Sequence, residues 1–184
     1  MFKDNKKLDA SSCFQDSLPI SSDKLMGQLD EWGISYKCFN HVPLSTVVES
    51  KRIQNQFLNK DKGGGHIKNL YLRDHKKNNI LLVAEQDRKI DLKKLKENLE
   101  VGRLSFGSSD RLMENLGVRP GAVTPFAMIT GVKREVHLFL DIELKTCQRI
   151  YAHPLVNDRT LELSVESLEK FFDKIGAVAN WIKL

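Results

Sequence analysis

Apolar positions recur along this 184-residue chain at spacings that change from stretch to stretch, and the changes mark out its elements. Leu25, Met26, Leu29 and Trp32 share one face of a helix that Ser22 can cap and Gly33 can stop. Residues 34–39 read as a strand, His41-Val42-Pro43 turns the chain, and Thr46-Val47-Val48-Glu49 has capping-box spacing for a second helix. Residues 59–65 form a polar, glycine-rich approach to a segment whose period is two. Lys68, Leu70 and Leu72 point one way, Ile67, Asn69 and Tyr71 the other. A second apolar run, 80–84, follows across His75-Lys76-Lys77-Asn78, which predicts a hairpin. Asp91 caps a helix with Leu92, Leu95 and Leu99 at helical spacing, and 103–106 is a short strand. Ser108 or Ser109 opens a helix that ends at Leu116, with Gly117 as its stop. Strand-like stretches follow at 127–130, 136–140 and 160–163, and Ile150-Tyr151-Ala152 leads into His153-Pro154. Ser164 caps a last helix bearing Leu168, Phe171, Phe172 and Ile175.

Strands and helices interleave irregularly, with at least one hairpin. That pattern predicts an α/β fold of the mixed α+β kind: one domain, a mixed β-sheet and helices packed around it. Residues 1–20 lack periodicity and read as a flexible leader, leaving 21–184 as the domain. The length is ample for one buried core, and 41% hydrophobic with 29% charged residues is ordinary for a globular protein. No apolar run approaches the ~20 residues of a membrane helix, and the polar N-terminal stretch lacks a secretory signal core, so a cytoplasmic location is expected. Cys13, Cys38 and Cys147 are odd in number and far apart, which suits reduced thiols better than disulfides or zinc.

Charge changes the picture more than composition does. Residues 51–103 hold 14 Lys/Arg against 7 Asp/Glu, whereas the remainder holds 15 against 17. A basic segment on a near-neutral body suits a polyanion such as nucleic acid, although a solvated lysine-rich surface has the same composition. Arg73, Lys76, Lys77, Arg88 and Arg103 within it, and Arg119 beyond it, are the candidate phosphate contacts.

Several chemistries are unsupported. Gly63-Gly64-Gly65-His66-Ile67-Lys68 lacks the ending and spacing of a P-loop, no Gly-x-Ser-x-Gly is present, and the five histidines have no metal-ligand spacing. No metal or cofactor is expected. Three features remain. Lys68 stands on the core side of its strand, where burial is costly unless an anion or acceptor meets the ammonium; the alternative is that it snorkels to water. Gly117-Val118-Arg119-Pro120-Gly121-Ala122-Val123-Thr124-Pro125-Phe126 makes a constrained turn that can aim amides outward, as a phosphate or oxyanion requires. Pro-Gly is more commonly a plain rigid loop. His153-Pro154 holds a histidine in extended backbone, able to face a pocket or to serve structurally.

Taken with Gly64-Gly65-His66-Ile67-Lys68-Asn69-Leu70-Tyr71-Leu72-Arg73-Asp74, Gly102-Arg103-Leu104-Ser105-Phe106-Gly107-Ser108 and His153-Pro154-Leu155-Val156-Asn157, that turn resembles the YbaK/ProX superfamily of aminoacyl-tRNA deacylases. The likeness is greatest to its freestanding alanyl-tRNA(Pro) editing branch. Ile67 stands where relatives usually have threonine, and Ala127 where they often have glycine. The resemblance implies hydrolysis of alanine from mischarged tRNA(Pro) without a metal or an acyl-enzyme, with prolyl-tRNA synthetase as a candidate partner. It implies that Lys68 is the essential residue and that Gly117, Pro120, Gly121 and Ala122 form the backbone-amide site for the scissile carbonyl. Asn69 and His153 are the expected substrate contacts, and Pro43, Val47, Ile67 and Phe126 the walls that admit alanine. The alternatives are deacylation of Cys-tRNA(Pro) or another aminoacyl-tRNA, and a non-catalytic RNA-binding or synthetase-associated module.

Overall fold

The computed structural model of the protein describes residues 8–44, 49 and 64–184. Eight strands form its sheet: β1 (Lys37–Asn40), β2 (Gly64–Arg73), β3 (Asn79–Glu85), β4 (Ser105–Phe106), β5 (His137–Asp141), β6 (Arg149–Ala152), β7 (Arg159–Leu163) and β8 (Ala179–Ile182). The described helices are α1 (Ser22–Glu31), α2 (Leu92–Asn98), α3 (Ser109–Leu116), α4 (Met128–Gly131) and α5 (Val165–Ile175). Strand order is β1-β7-β6-β2-β3-β5-β8, with β4 added on β2. The β2–β6, β3–β5 and β5–β8 pairs are parallel and the others antiparallel, so the sheet is mixed as expected.

Local chemistry explains the element ends. Ser21, Asp91, Ser108 and Ser164 each accept a backbone N–H of the first turn of the helix they precede. The first cap is thus Ser21, and Ser22 is already helical and buried. Gly117 ends α3 at φ 67°, a left-handed position, and its missing Cβ leaves room for Pro19 and Thr130. Residues 127–130, expected as a strand, are helical. Thr124 caps a 3-10 turn whose first residue is Pro125, and the turn runs into α4. A short apolar run has no period of its own to separate helix from strand, and the cap and proline decide it. Strand β8 was not legible in the sequence; it pairs Leu138 with Ala179 and Leu140 with Trp181 at the sheet edge. The helix expected from Thr46, and most of the glycine-rich approach at 59–65, lie outside the described residues.

Residues 8–20, expected as part of a flexible leader, are instead fastened to the body. Asn157 N–H donates to Ala10 C=O at 2.8 Å, Ser12 N–H and Oγ bond to Asp158, and Leu18 joins the main core. Backbone-to-loop hydrogen bonds leave no periodic trace, which is why the stretch reads as unstructured.

Two apolar clusters sandwich the sheet. The larger lies on the face of Tyr71, Leu81, Val83, Ile150 and Leu161, under α1, α3, α4 and α5. Phe126, Phe171 and Phe172 are its largest fully buried side chains, each at most 1% exposed. Filling such a position stabilises the fold by ~1.5–3 kcal/mol per side chain. The smaller cluster lies on the opposite face, where Leu72, Ile80 and Leu82 meet Leu95, Leu99 and Leu104 of α2 and its flank. The alternation read from residues 67–72 is therefore real, and it separates the two cores.

Candidate active site

Strand β2 changes partners along its length. Its first residues pair with β6 (Gly64↔Arg149, Gly65↔Ile150, His66↔Tyr151), and its last pair with β4 (Leu72↔Phe106, Arg73↔Ser105). On the other edge β3 accompanies it from Ile67 to Arg73. No described strand lies beside β2 between those two partners, so the sheet is open there. Gln86 N–H donates to His66 C=O, and Gly107 N–H to Tyr71 C=O. Even-numbered residues therefore bond toward β3, while odd-numbered ones, Asn69 among them, aim their amide groups at the opening.

Lys68 and Asn69 flank this opening from opposite faces. The Lys68 ammonium donates to the Arg88 backbone carbonyl, the acceptor that a core-side lysine requires. That carbonyl belongs to the segment linking β3 to α2. The Arg88 side chain is itself held by a buried carboxylate: Nε lies 3.0 Å from Asp141 Oδ2 and Nη2 3.2 Å from Oδ1, and Asp141 is 0% exposed. Arg88 thus braces the interior through Asp141 while part of its side chain remains exposed. The carboxylate takes two of the five guanidinium donors, and 31% of the side chain stays exposed. Asn69 points to the other face, where its Oδ1 is buried with no hydrogen-bond partner among the described residues. Such an oxygen is costly to leave unsatisfied, so it is a ready acceptor for a ligand hydroxyl or amine.

The face of Lys68 is rich in imidazoles. His66 stacks on Tyr151 with centroids 4.8 Å apart, and Tyr151 donates its hydroxyl to Glu162. The β2–β6 pairing ends at that pair; Lys68 and His153 each follow two residues further along their own segments. His153 Nδ1 is 2.8 Å from the Arg159 carbonyl, and its ring centroid is 6.1 Å from that of His41. A carbonyl only accepts, so Nδ1 carries the proton and Nε2 keeps the lone pair. The same logic places the His41 proton on Nδ1, beside Val42 C=O, and lets Nε2 accept from Thr160 Oγ1. Burial pushes the His153 pKa below the ordinary histidine range. His41 adds to that, against the opposing pull of the Arg159 carbonyl and Asp158. The folded protein consequently binds fewer protons than the unfolded chain below about pH 6.5. His153 therefore favours folding fully above that range, and the contribution falls as pH drops toward its lowered folded pKa. Thermal midpoints should decline on acidification from pH 7 to 5.5, and His153→Gln should flatten that decline.

The glycine-proline loop does not share the histidine face. Val118, Ala122 and Phe126 belong to the main core, on the side of Asn69. Arg119, Pro120, Gly121 and Ala122 form a type II turn: Ala122 N–H donates to Arg119 C=O at 3.0 Å, with Gly121 at φ 90°. The Ala122 amide, expected to face a substrate, is therefore engaged inside the turn, and Gly121 supplies the N–H that the turn leaves out. Gly117 is the buried helix stop already described, so its place is structural. The expectation of a single hollow joining Lys68 to these amides is corrected accordingly. The two groups lie on opposite faces of the sheet, and the opening beside β2 is where those faces adjoin.

The remaining expected contacts sort by burial. Phe126 is 0% exposed, edge-on to Phe171 at 5.0 Å, and Ile67 packs against the same core, so neither ring nor chain walls a pocket on the Lys68 face. Pro43 is exposed, and Val47 lies outside the described residues. Arg119 bonds to Phe14 C=O and Ser17 Oγ, fastening the N-terminal segment. Arg73 Nε donates to Lys77 C=O across the hairpin, while Lys76, Lys77 and Arg103 are exposed. Asp141, His41, Tyr151 and Glu162 were not singled out in the sequence; they meet through tertiary pairing, and no spacing announces them.

Residues 45–171 match the model of the aminoacyl-tRNA editing domain. The chain is 35% identical over 161 residues to the prolyl-tRNA editing protein ProX of Acetoanaerobium sticklandii, covering 87% of this chain and 95% of that protein. It is 33% identical over 159 residues to prolyl-tRNA synthetase associated domain-containing protein 1 of Xenopus laevis, covering 83% and 90%. Its fold is similar to the crystal structure of a provisionally assigned trans-editing enzyme for prolyl tRNA synthetase, with TM-score 0.65, 19% identity, and coverage of 89% and 96%. The open sheet edge beside Lys68 is thus set in a chain that belongs to the aminoacyl-tRNA editing domain family.

Proposed function

We propose that this protein is a trans-editing deacylase that hydrolyses mischarged tRNA(Pro), with Ala-tRNA(Pro) as its substrate, releasing alanine and free tRNA. The observation that carries this reading is the Lys68 ammonium, oriented by a backbone carbonyl at a break in the sheet. The ProX relative and the synthetase-associated relative support tRNA(Pro) as the RNA and prolyl-tRNA synthetase as a partner.

An aminoacyl ester is already activated, so the protein has to position water and stabilise the tetrahedral oxyanion. Water adds to the ester carbonyl; the intermediate then expels the terminal ribose oxygen, which takes up a proton. Lys68 supplies a fixed positive charge for the oxyanion or the adjacent phosphate. Asn69 Oδ1 is an acceptor for a ribose hydroxyl or the amino group of the amino acid. His153 Nε2 can accept a proton from water, whereas the Gly121 N–H lies on the Asn69 side of the sheet and takes no part at the Lys68 face. A synthetase pocket that holds proline discriminates weakly against alanine, since one methylene is worth only ~1–3 kcal/mol, and a separate hydrolytic site restores accuracy.

The direct test is hydrolysis of tRNA(Pro) charged with alanine, cysteine or proline by the purified protein. Release of alanine at least tenfold faster than of the other two is expected. Preference for cysteine moves the substrate assignment within the family. No hydrolysis of any, with tRNA binding retained, makes the protein a non-catalytic RNA-binding module.

A further inference from the structure

The segment Gly102 to Ser108 bounds the opening through β4, and it is tightly seated. A Cβ at Gly102 would run into the His75 ring, and one at Gly107 into the Tyr71 ring, so both ends of the segment lie flush against β2 and its hairpin. Between them Leu104 is 7% exposed in the smaller core, and Gly107 N–H closes onto Tyr71 C=O. The product of this seating is a two-residue strand that leaves the Phe106 ring 65% exposed. Nothing in the packing calls for an aromatic there, because the ring belongs to neither core.

Its direction is defined. Phe106 is the register partner of Leu72, and directly opposed residues project to the same face, so the ring stands on the Lys68 side of the sheet. Leu72 lies four residue steps along β2 from Lys68, roughly 13 Å at the rise of a strand. Helix α2 covers the same face, and residues 89–103 around it carry five Lys/Arg against three Asp/Glu. An aromatic face beside a basic surface is how proteins hold unpaired bases without reading their sequence.

We propose that Phe106 is a stacking platform for an unpaired nucleotide of the tRNA 3′ end, near the terminal residue that Lys68 receives. This rests on the deacylase reading. The exposed Arg103, three residues before Phe106 in the same segment, is the cation placed to meet the backbone of the strand so held.

The test is binding of two labelled RNA hairpins, one with the unpaired four-nucleotide 3′ tail of an acceptor stem and one blunt. Phe106→Ala should weaken the tailed hairpin fivefold or more and change the blunt one less than twofold, while Phe106→Trp keeps both. The substituted side chain is mostly in solvent, so the variant should fold, and its thermal midpoint is the control. Equal losses on both hairpins, or none, overturn the platform, and with wild-type hydrolysis intact the deacylase reading survives. If Phe106→Ala instead abolishes self-association or synthetase binding and leaves RNA affinity unchanged, the ring is a protein contact and the proposal fails. Wild-type protein that binds neither hairpin overturns both readings.

Discussion

Lys68→Ala should lower single-turnover hydrolysis of Ala-tRNA(Pro) by ~10²–10³-fold, the ~2.7–4 kcal/mol typical of losing one preorganised oxyanion donor. The variant should fold normally, because the lysine is half-buried and its removal takes a costly charge off the inner side of a strand. Loss of turnover with tRNA affinity within a few fold places Lys68 at the reacting ester. Loss of affinity with turnover intact at saturating tRNA would move it to a phosphate further along the acceptor strand. Lys68→Arg is the sharper companion. Guanidinium keeps the charge, but its planar fork differs from an ammonium directed at the Arg88 carbonyl, so most activity should still be lost. Full activity in Lys68→Ala would remove the basis of the proposed mechanism.

Phe126→Ala should destabilise the protein by ~3–5 kcal/mol, the range for truncating a fully buried aromatic. At about 2–4 °C per kcal/mol for a chain of this size, the thermal midpoint should fall by roughly 6–20 °C. The reason is position: the ring is 0% exposed and packs edge-on to Phe171, which in turn meets Phe172 and Trp32. Phe126→Leu, which keeps most of the apolar volume, should recover a large part of that loss. A pocket wall would behave otherwise, with little change in stability and a widened range of hydrolysed amino acids. Calorimetry together with the Ala-, Cys- and Pro-charged panel separates the two, and a broadened specificity at unchanged midpoint would return Phe126 to the pocket.

Much of the fold was legible because the deciding interactions are local. The period-two pattern at residues 67–72 set which side chains face which core, and the structure assigns Leu70 and Leu72 to one cluster and Ile67 and Tyr71 to the other. Asp91, Ser108 and Ser164 announced helix starts, and Gly117 a stop, since capping depends on atoms within one turn. Residues 127–130 misled because an apolar run without a period leaves the choice to the Thr124 cap and Pro125. The seating of residues 8–20 and the addition of β8 depend on hydrogen bonds to distant segments, which leave no local pattern.

The candidate site divides the same way. Sequence alone put a lysine on the inner side of a strand, a Pro-Gly turn before Phe126 and an extended His153, and those residue types define the chemistry available. It also carried the family, through four short motifs in order. Tertiary structure decided everything that depends on orientation. It turned the Ala122 amide into its own loop, gave Arg88 to the buried Asp141, sent Phe126 inward, and fixed the proton of His153 through the Arg159 carbonyl. A side chain's type is encoded at one position, whereas its direction and its partner are set by strand register and by segments far along the chain. The break in the sheet beside Lys68 belongs to that second kind, because it exists only where β6 ends and β4 has not yet begun.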